Sequence, residues 1–320
     1  RTETEYVYPV GGRTGMKKNT YAVSGATGFI GRALVEQLLK NGHRVLALVR
    51  PGSPRRALLP DSPLLTVLSC SLSDMESFET AERADVFVHL AWEKALGAGR
   101  EDTNAQWQNV SGALAAVRLA ARLSCRHFVG VGSQAEYGPV SEKLRPDTPV
   151  CPESGYGVAK YAAGKLTRIL CAQLGLSHSW VRVLSVYGEG DAPGTLMMYL
   201  LGTLREGKSP ELTPCTQIWD YLYVGDAARA LLAVGEHGRD GAVYPLGSGE
   251  ARPLCEYVRE LGALVAPDVP IAFGARPFYP HQPMYLSADL TALTADTGFS
   301  PRISFREGVK RMLQSLSEEK

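Results

Sequence analysis

The stretch VSGATGFIGRALVEQLL, residues 23–39, limits what this chain can fold into more than any other. Gly25, Gly28 and Gly31 stand between a short apolar run, YAVSG, and a segment with helical spacing that closes at Gly42. In that setting the first Gly permits a tight turn and the second lets the backbone approach a pyrophosphate. The third lets the helix pack closely on its strand, and the helix N-terminus favours an anion. The pattern predicts a strand, turn and helix that cradle a dinucleotide, with Gly25, Thr27, Gly28, Phe29, Ile30 and Gly31 as candidate contacts.

The alternation continues along the chain. RVLALVR completes a first βαβ unit; LLTVLSC, ADVFVHLA, the helical NVSGALAAVRLAARLS, RHFVGVGS, a helix around YGVAKYAAGKLTRILCAQLG, and SWVRVLSVYG follow. Short β-rich runs separated by helices mean a parallel sheet covered on both faces, the doubly wound α/β class. Past residue 190 the pattern loosens into turns at DAPGT, KSPELTP and GARPFYPHQP, with helices expected near 195–206, 226–236, 253–265 and 304–317. The expected division is a dinucleotide-binding domain over 16–183 and a smaller, mainly substrate-binding region over 184–320. Within the latter, 217–246 is expected to return to the main sheet. Residues 1–15, RTETEYVYPVGGRTG, lack the apolar core of a signal peptide and precede Met16, which reads as a natural start; they are read as appended sequence, apart from the fold.

Composition narrows the function classes. A net charge of +1 with no long basic run argues against an extended nucleic-acid surface. No apolar stretch reaches the roughly 18 residues of a membrane span. Cys70, Cys125, Cys151, Cys171, Cys215 and Cys255 show neither CxxC spacing nor clustering, so reduced thiols in a cytoplasmic protein are expected. The six histidines form no HxxH or HxxxH pair, and no metal site is expected.

The end of the second strand discriminates between dinucleotides: an acidic residue there accepts from a ribose hydroxyl, whereas Arg accommodates a 2′-phosphate. This chain has Arg50 in LVRPGSPRR, with Arg55 and Arg56 behind it, which favours NADP(H) while leaving NAD(H) open.

The segment YGVAKYAAGK repeats one pattern, Tyr156 with Lys160 and Tyr161 with Lys165. Four residues return to nearly the same helix face, so each Tyr can stand beside its own Lys. The five-residue offset turns the second pair by about 140° around the axis, so the two pairs point different ways. Pro152 and a Ser154 cap put Tyr156 in the first turn, open to a cleft, whereas Tyr161 lies deeper among small residues where a ring packs against a neighbour. A nearby Lys lowers the phenol pKa and lets it pass a proton at neutral pH, and position favours Tyr156 and Lys160. Trp92 and Glu93 follow the fourth strand where the cofactor crevice opens and are candidate sugar contacts. Core packing explains Trp92 equally well.

GATGFIG, HLAW, NVSGALAAVRLA, GSQAEYG, YGVAK and YLYVGDAARA, in that order, resemble the extended short-chain dehydrogenase/reductases, the NAD-dependent epimerase/dehydratase group acting on nucleotide sugars. The resemblance covers nearly all of residues 20–320. It implies a Rossmann-type sheet, with Tyr156 as catalytic acid/base and Lys160 holding the nicotinamide ribose. It also implies Ser133 as the hydroxyl that polarises the substrate carbonyl, and Asn109 as a buried structural or relay residue. Leu72, Leu90 and Ala91 are the implied further cofactor contacts, with Ser71 where relatives often carry an Asp beside the adenine.

Departures from the family pattern refine the activity. Dehydratases carry Asp-Glu directly after the catalytic hydroxyl, and this chain has Gln134-Ala135 there. Relatives carry an Arg for the substrate diphosphate where this chain has Trp219, and Asn where it has Ser185; Arg276 is a candidate diphosphate clamp, or an exposed Arg without a ligand. The expected substrate contacts are thus Trp92, Glu93, Gln134, Ser185, Trp219 and Arg276. The resemblance implies a 4-ketoreductase that uses NADPH on a CDP- or dTDP-linked 4-keto-6-deoxysugar, working as a homodimer. The alternatives are an NAD-retaining 4-epimerase and, in a different class, a dinucleotide-sensing protein without turnover.

Overall fold

The structure is a computed structural model that describes residues 18–278 and 282–318. Residues 1–15 and Met16 lie outside the described residues.

β1 (Thr20–Ser24), α1 (Phe29–Lys40), β2 (Arg44–Val49), β3 (Leu65–Ser69), β4 (Val86–His89), α2 (Thr103–Arg122), β5 (His127–Ser133), α3 (Gly155–Leu174) and β6 (Ser177–Val183) alternate as predicted. There follow β7 (Ser185–Tyr187), α4 (Leu196–Arg205), β8 (Ile218–Trp219), β9 (Tyr221–Tyr223), α5 (Val224–His237) and β10 (Ala242–Leu246). β11 (Arg252–Pro253), α6 (Leu254–Val265), α7 (Thr291–Thr297) and α8 (Phe305–Glu318) complete the order. The main sheet is parallel with strand order β10-β6-β5-β4-β1-β2-β3, so the direction in which successive strands are added reverses between β1 and β4. A ligand crevice opens at such a switch point, beyond the carboxyl ends of the strands.

Alternate residues of each strand feed two cores. Tyr21, Val23, Val45 and Val88 join α1 and α5 on one face, while Ala22, Leu46, Phe87 and Phe128 join α2 and α3 on the other. A third core, with Met197, Leu200, Leu204, Tyr257, Leu261 and Met312, packs α4, α6 and α8. Asp220, fully buried between β8 and β9, accepts hydrogen bonds from Ser248 N, Ser248 Oγ, Gly249 N and Ala288 N, which ties this region to the end of β10.

The structure divides one expected strand. SWVRVLSVYG breaks at Leu184, whose N–H donates to the Leu246 carbonyl (2.9 Å), and the chain leaves the main sheet to pair β7 with β9. α2 starts at Thr103 rather than at Asn109, because Asp102 caps it by accepting from Ala105 N (3.0 Å). Among the described residues no helix is long and apolar enough to cross a membrane, and the six cysteines are free.

Candidate active site

At the exit of β1 the backbone of Gly25 takes φ +71°, and a Cβ there would lie 2.7 Å from the Ala91 nitrogen. Only glycine gives both the turn and the close passage beneath β4. Gly31 lies against the Gly25 carbonyl, where a Cβ would overlap it. Gly28 caps α1 without a side-chain acceptor, and the first turn carries no acidic residue. The N–H groups of that turn are therefore open to an anion, and the cradle fits the diphosphate of a dinucleotide.

A cleft of about 1520 Å³ opens beside this turn. From the expected set it brings together Gly25, Gly28, Phe29, Ile30, Gly31, Leu90, Trp92, Ser133, Gln134, Tyr156, Lys160, Ser185 and Trp219. Thr27 belongs to the glycine turn, and Ala91 packs against Gly25 from behind; neither is part of the wall.

Ser154 caps α3 by accepting from Gly157 N (3.0 Å), which sets Tyr156 in the first turn at the edge of the cleft. Burial raises the phenol above its ordinary range, while hydrogen bonding with Ser133 and the Arg100 charge pull it back. One turn on, Lys160 is only 4% exposed and donates from Nζ to the Val131 carbonyl (2.7 Å). Burial pushes it down to about 7 against the opposing pull of Glu136, so a proton moves easily on or off this amine near neutral pH. Tyr161 and Lys165 line a separate small cavity with Arg168, His178 and Trp180, on another side of α3.

Behind Ser133 stands a buried ion pair that spacing alone did not single out. Glu136 accepts from Ser133 N (2.9 Å), Trp180 Nε1 (3.0 Å) and Arg182 Nε (2.7 Å), and has no exposed surface. Ser133 Oγ accepts in turn from Ala135 N (3.2 Å), closing a capping box that fixes the hydroxyl at the cleft floor. Gly130, Gly132 and Gly164 leave the room that the Trp180 indole fills. The signal in the sequence was a carboxylate next to an otherwise apolar strand end, in GSQAEYG.

The segment after β4 folds over Tyr156 and is pinned from α2. Asn109, nearly fully buried, accepts from Glu93 N (2.8 Å) and donates to Glu93 O (2.9 Å). Gln106 accepts from Trp92 Nε1 (2.9 Å) and donates to the carbonyls of Lys94 and Gly99. Trp92 thereby meets Tyr156 edge-on at 6.1 Å, and Lys160 Nζ lies 3.9 Å from the indole centre. A π face there favours the charged amine that burial opposes. Arg100 lies over the other ring, 4.6 Å from the Tyr156 centroid; no motif marked it in the sequence.

Besides Thr27 and Ala91, four expected contacts lie outside the cleft wall. Glu93 is exposed, with only its backbone engaged by Asn109. Arg50 is exposed just past β2. Leu72 packs against Gly112 of α2, while Ser71 donates from N and Oγ to the Asp74 carboxylate, which supplies an acid close to the position where Ser71 lacks one. Arg276 is exposed and faces Glu211 at 3.4 Å, because its own N–H is fixed to the Leu212 carbonyl (3.0 Å).

Comparison with known proteins bears on the family and the fold. A profile of the NAD dependent epimerase/dehydratase family matches residues 21–247. The chain is 26% identical to a dTDP-6-deoxy-L-talose 4-dehydrogenase (NAD(P)(+)) of Kitasatospora kifunensis, over 92% of this chain and 95% of the relative. It is 25% identical to a dTDP-glucose 4,6-dehydratase of Neisseria gonorrhoeae, over 95% and 97%. The solved UDP-glucose 4-epimerase of Thermotoga maritima with UDP-glucose superposes with a TM-score of 0.83 at 22% identity, covering 94% of this chain and 99% of that one. Other solved structures of this fold hold NAD or NADPH.

Proposed function

The chain belongs to the NAD-dependent epimerase/dehydratase family, and from that premise we propose that it reduces the 4-keto group of a nucleotide-linked 4-keto-6-deoxysugar, on a CDP or dTDP carrier, with NADPH. The observation that carries this reading is the wall of the cleft itself. Ser133, Tyr156 and Lys160 converge there beside the glycine turn, while the two positions after Ser133 hold Gln134 and Ala135. Removing water from a sugar needs an added acid and base at those positions. Glu136, the nearest carboxylate, is turned away and consumed by Arg182 and Trp180.

The bound dinucleotide supplies or accepts a hydride. Ser133 and Tyr156 hold the carbonyl oxygen, and Tyr156 delivers the proton to it as charge develops. Lys160 holds the cofactor ribose and, when charged, favours the phenolate that Tyr156 becomes. The Gly25–Gly31 cradle takes the cofactor diphosphate. Arg50 past β2, with no acid at that position, supports NADPH over NADH. The exposed Trp107, Val158, Leu166, Ile169 and Leu174 on α2 and α3 support a homodimer through these helices.

The test is to incubate the purified protein with NADPH or NADH and CDP-, dTDP-, UDP- and GDP-linked 4-keto-6-deoxysugars while following loss of the reduced cofactor. Consumption with preference for NADPH is expected. Tightly retained NAD, with interconversion of a nucleotide sugar and no added cofactor, would replace this reading by a 4-epimerase.

A further inference from the structure

The cleft carries two cations in its described wall, Lys160 and Arg100, and they differ in what is left for a ligand. Lys160 is buried and already bonded to the Val131 carbonyl. Arg100 is half-buried, and among the described residues no carboxylate pairs with it. Its position is nevertheless fixed. It belongs to the turn Gly97–Glu101, which Gln106 grips through the Gly99 carbonyl (3.0 Å) and which Glu101 ties to the start of α3 by accepting from Gly155 N (3.1 Å). A guanidinium held over an aromatic face keeps its N–H donors for a planar pair of oxygens.

The far end of the cleft lacks such a group. Trp219 lines it with an indole N–H that has no partner, and Arg276 is drawn off to Glu211. The wall holds three carboxylates, Glu101, Glu153 and Asp191; Asp191 accepts from Ala192 N and Thr195 Oγ1 and Glu101 from Gly155 N, and among the described residues none of the three forms an ion pair with Arg100.

We propose that Arg100 receives the anionic oxygens of the substrate, next to the reacting carbonyl, in the role that the sequence suggested for Arg276. This rests on the nucleotide-sugar reading given above. Two parts of a nucleotide sugar present this chemistry: the diphosphate that joins sugar to nucleoside, which the 6-deoxysugar proposed above carries, and an acidic substituent on the ring, which a uronate carries in place of the 6-deoxy carbon. Both accept paired N–H donors from a guanidinium.

Calorimetric titration tests the assignment without requiring turnover. Wild type, Arg100→Met and Arg100→Lys, each saturated with NADP+ or NAD+, are titrated with CDP, dTDP, UDP, UDP-glucose and UDP-glucuronate. Loss of a charge-assisted pair predicts roughly ten- to hundredfold weaker binding in Arg100→Met, with part of it kept in Arg100→Lys. Equal weakening of every ligand that wild type binds assigns the diphosphate; weakening confined to UDP-glucuronate assigns a ring acid. Affinities unchanged within about twofold overturn the proposal, as does a wild type that binds none of these anions. Dinucleotide titration of each variant checks folding, and Arg100→Lys decides if Arg100→Met loses the dinucleotide. Failure of the reductase reading is distinguishable: it shows as no NADPH loss with any 4-keto sugar while these affinities stand.

Discussion

Two Tyr/Lys pairs about 1.4 turns apart have different surroundings, and the difference is chemical. Tyr156 shares the cleft with Ser133 and Lys160, whereas Tyr161 faces Arg168 and Trp180 in its own small cavity. Tyr156→Phe is expected to lower turnover by roughly a hundredfold or more while keeping dinucleotide affinity, as loss of a general acid does. Tyr161→Phe should leave most activity, and steady-state kinetics beside cofactor titration separates the two. Lys160 has a consequence for stability. Its pKa is depressed to about 7 in the folded protein, whereas an unfolded chain holds that proton up to the usual lysine range near 10.4. Between those values the unfolded state binds more protons, so stability rises with pH across that window and the burial penalty is fully present below it. Lys160→Met should flatten that slope, seen as a smaller gain in urea midpoint between pH 7 and 10. An unchanged slope would place the charge in better solvated surroundings than the structure gives it.

At the scale of elements, the site depends on a strand end and a helix start being held at fixed depth. The turn after β5 is fixed by Glu136, whose carboxylate serves Ser133, Trp180 and Arg182 together. Removing one partner of a buried pair leaves an uncompensated charge, so Glu136→Ala should cost about 3–5 kcal/mol in denaturant unfolding. The alternation of apolar runs and helical spacing made the main sheet legible, because its inner strands are buried on both faces and each helix on one. The glycine turn was legible for a similar reason: Gly25 and Gly31 answer to a positive φ and a close approach, which leave a mark in the sequence. The break at Leu184 left none, since Leu184 would suit a continuing strand and turns only because Leu246, far along the chain, offers its carbonyl. α7 and the two-residue strands β8 and β11 were too short for any period to register. Arg100 and Glu136 were missed for a further reason: their partners, Tyr156 and Arg182, are distant in sequence.

The whole molecule combines a sheet whose switch point faces a cleft with a C-terminal core that closes the other wall. Fold and family follow from the chain's order of motifs, whereas the proposed substrate choice rests on positions of the cleft wall such as Trp219 and Gln134. The exposed apolar residues of α2 and α3 belong to this scale: Trp107 is 69% and Ile169 56% exposed. Sedimentation should give a dimer for the wild type and a monomer for Ile169→Glu, while a monomeric wild type would remove the interface. The most direct test of the central reading follows the hydride itself. The protein is given NADPH carrying deuterium at both nicotinamide C4 positions and a dTDP- or CDP-linked 4-keto-6-deoxysugar, and the product is examined by NMR. The account predicts one deuterium at sugar C4 with wild type and almost none with Tyr156→Phe; no deuterium at C4 with wild type, or deuterium at another carbon, would contradict it.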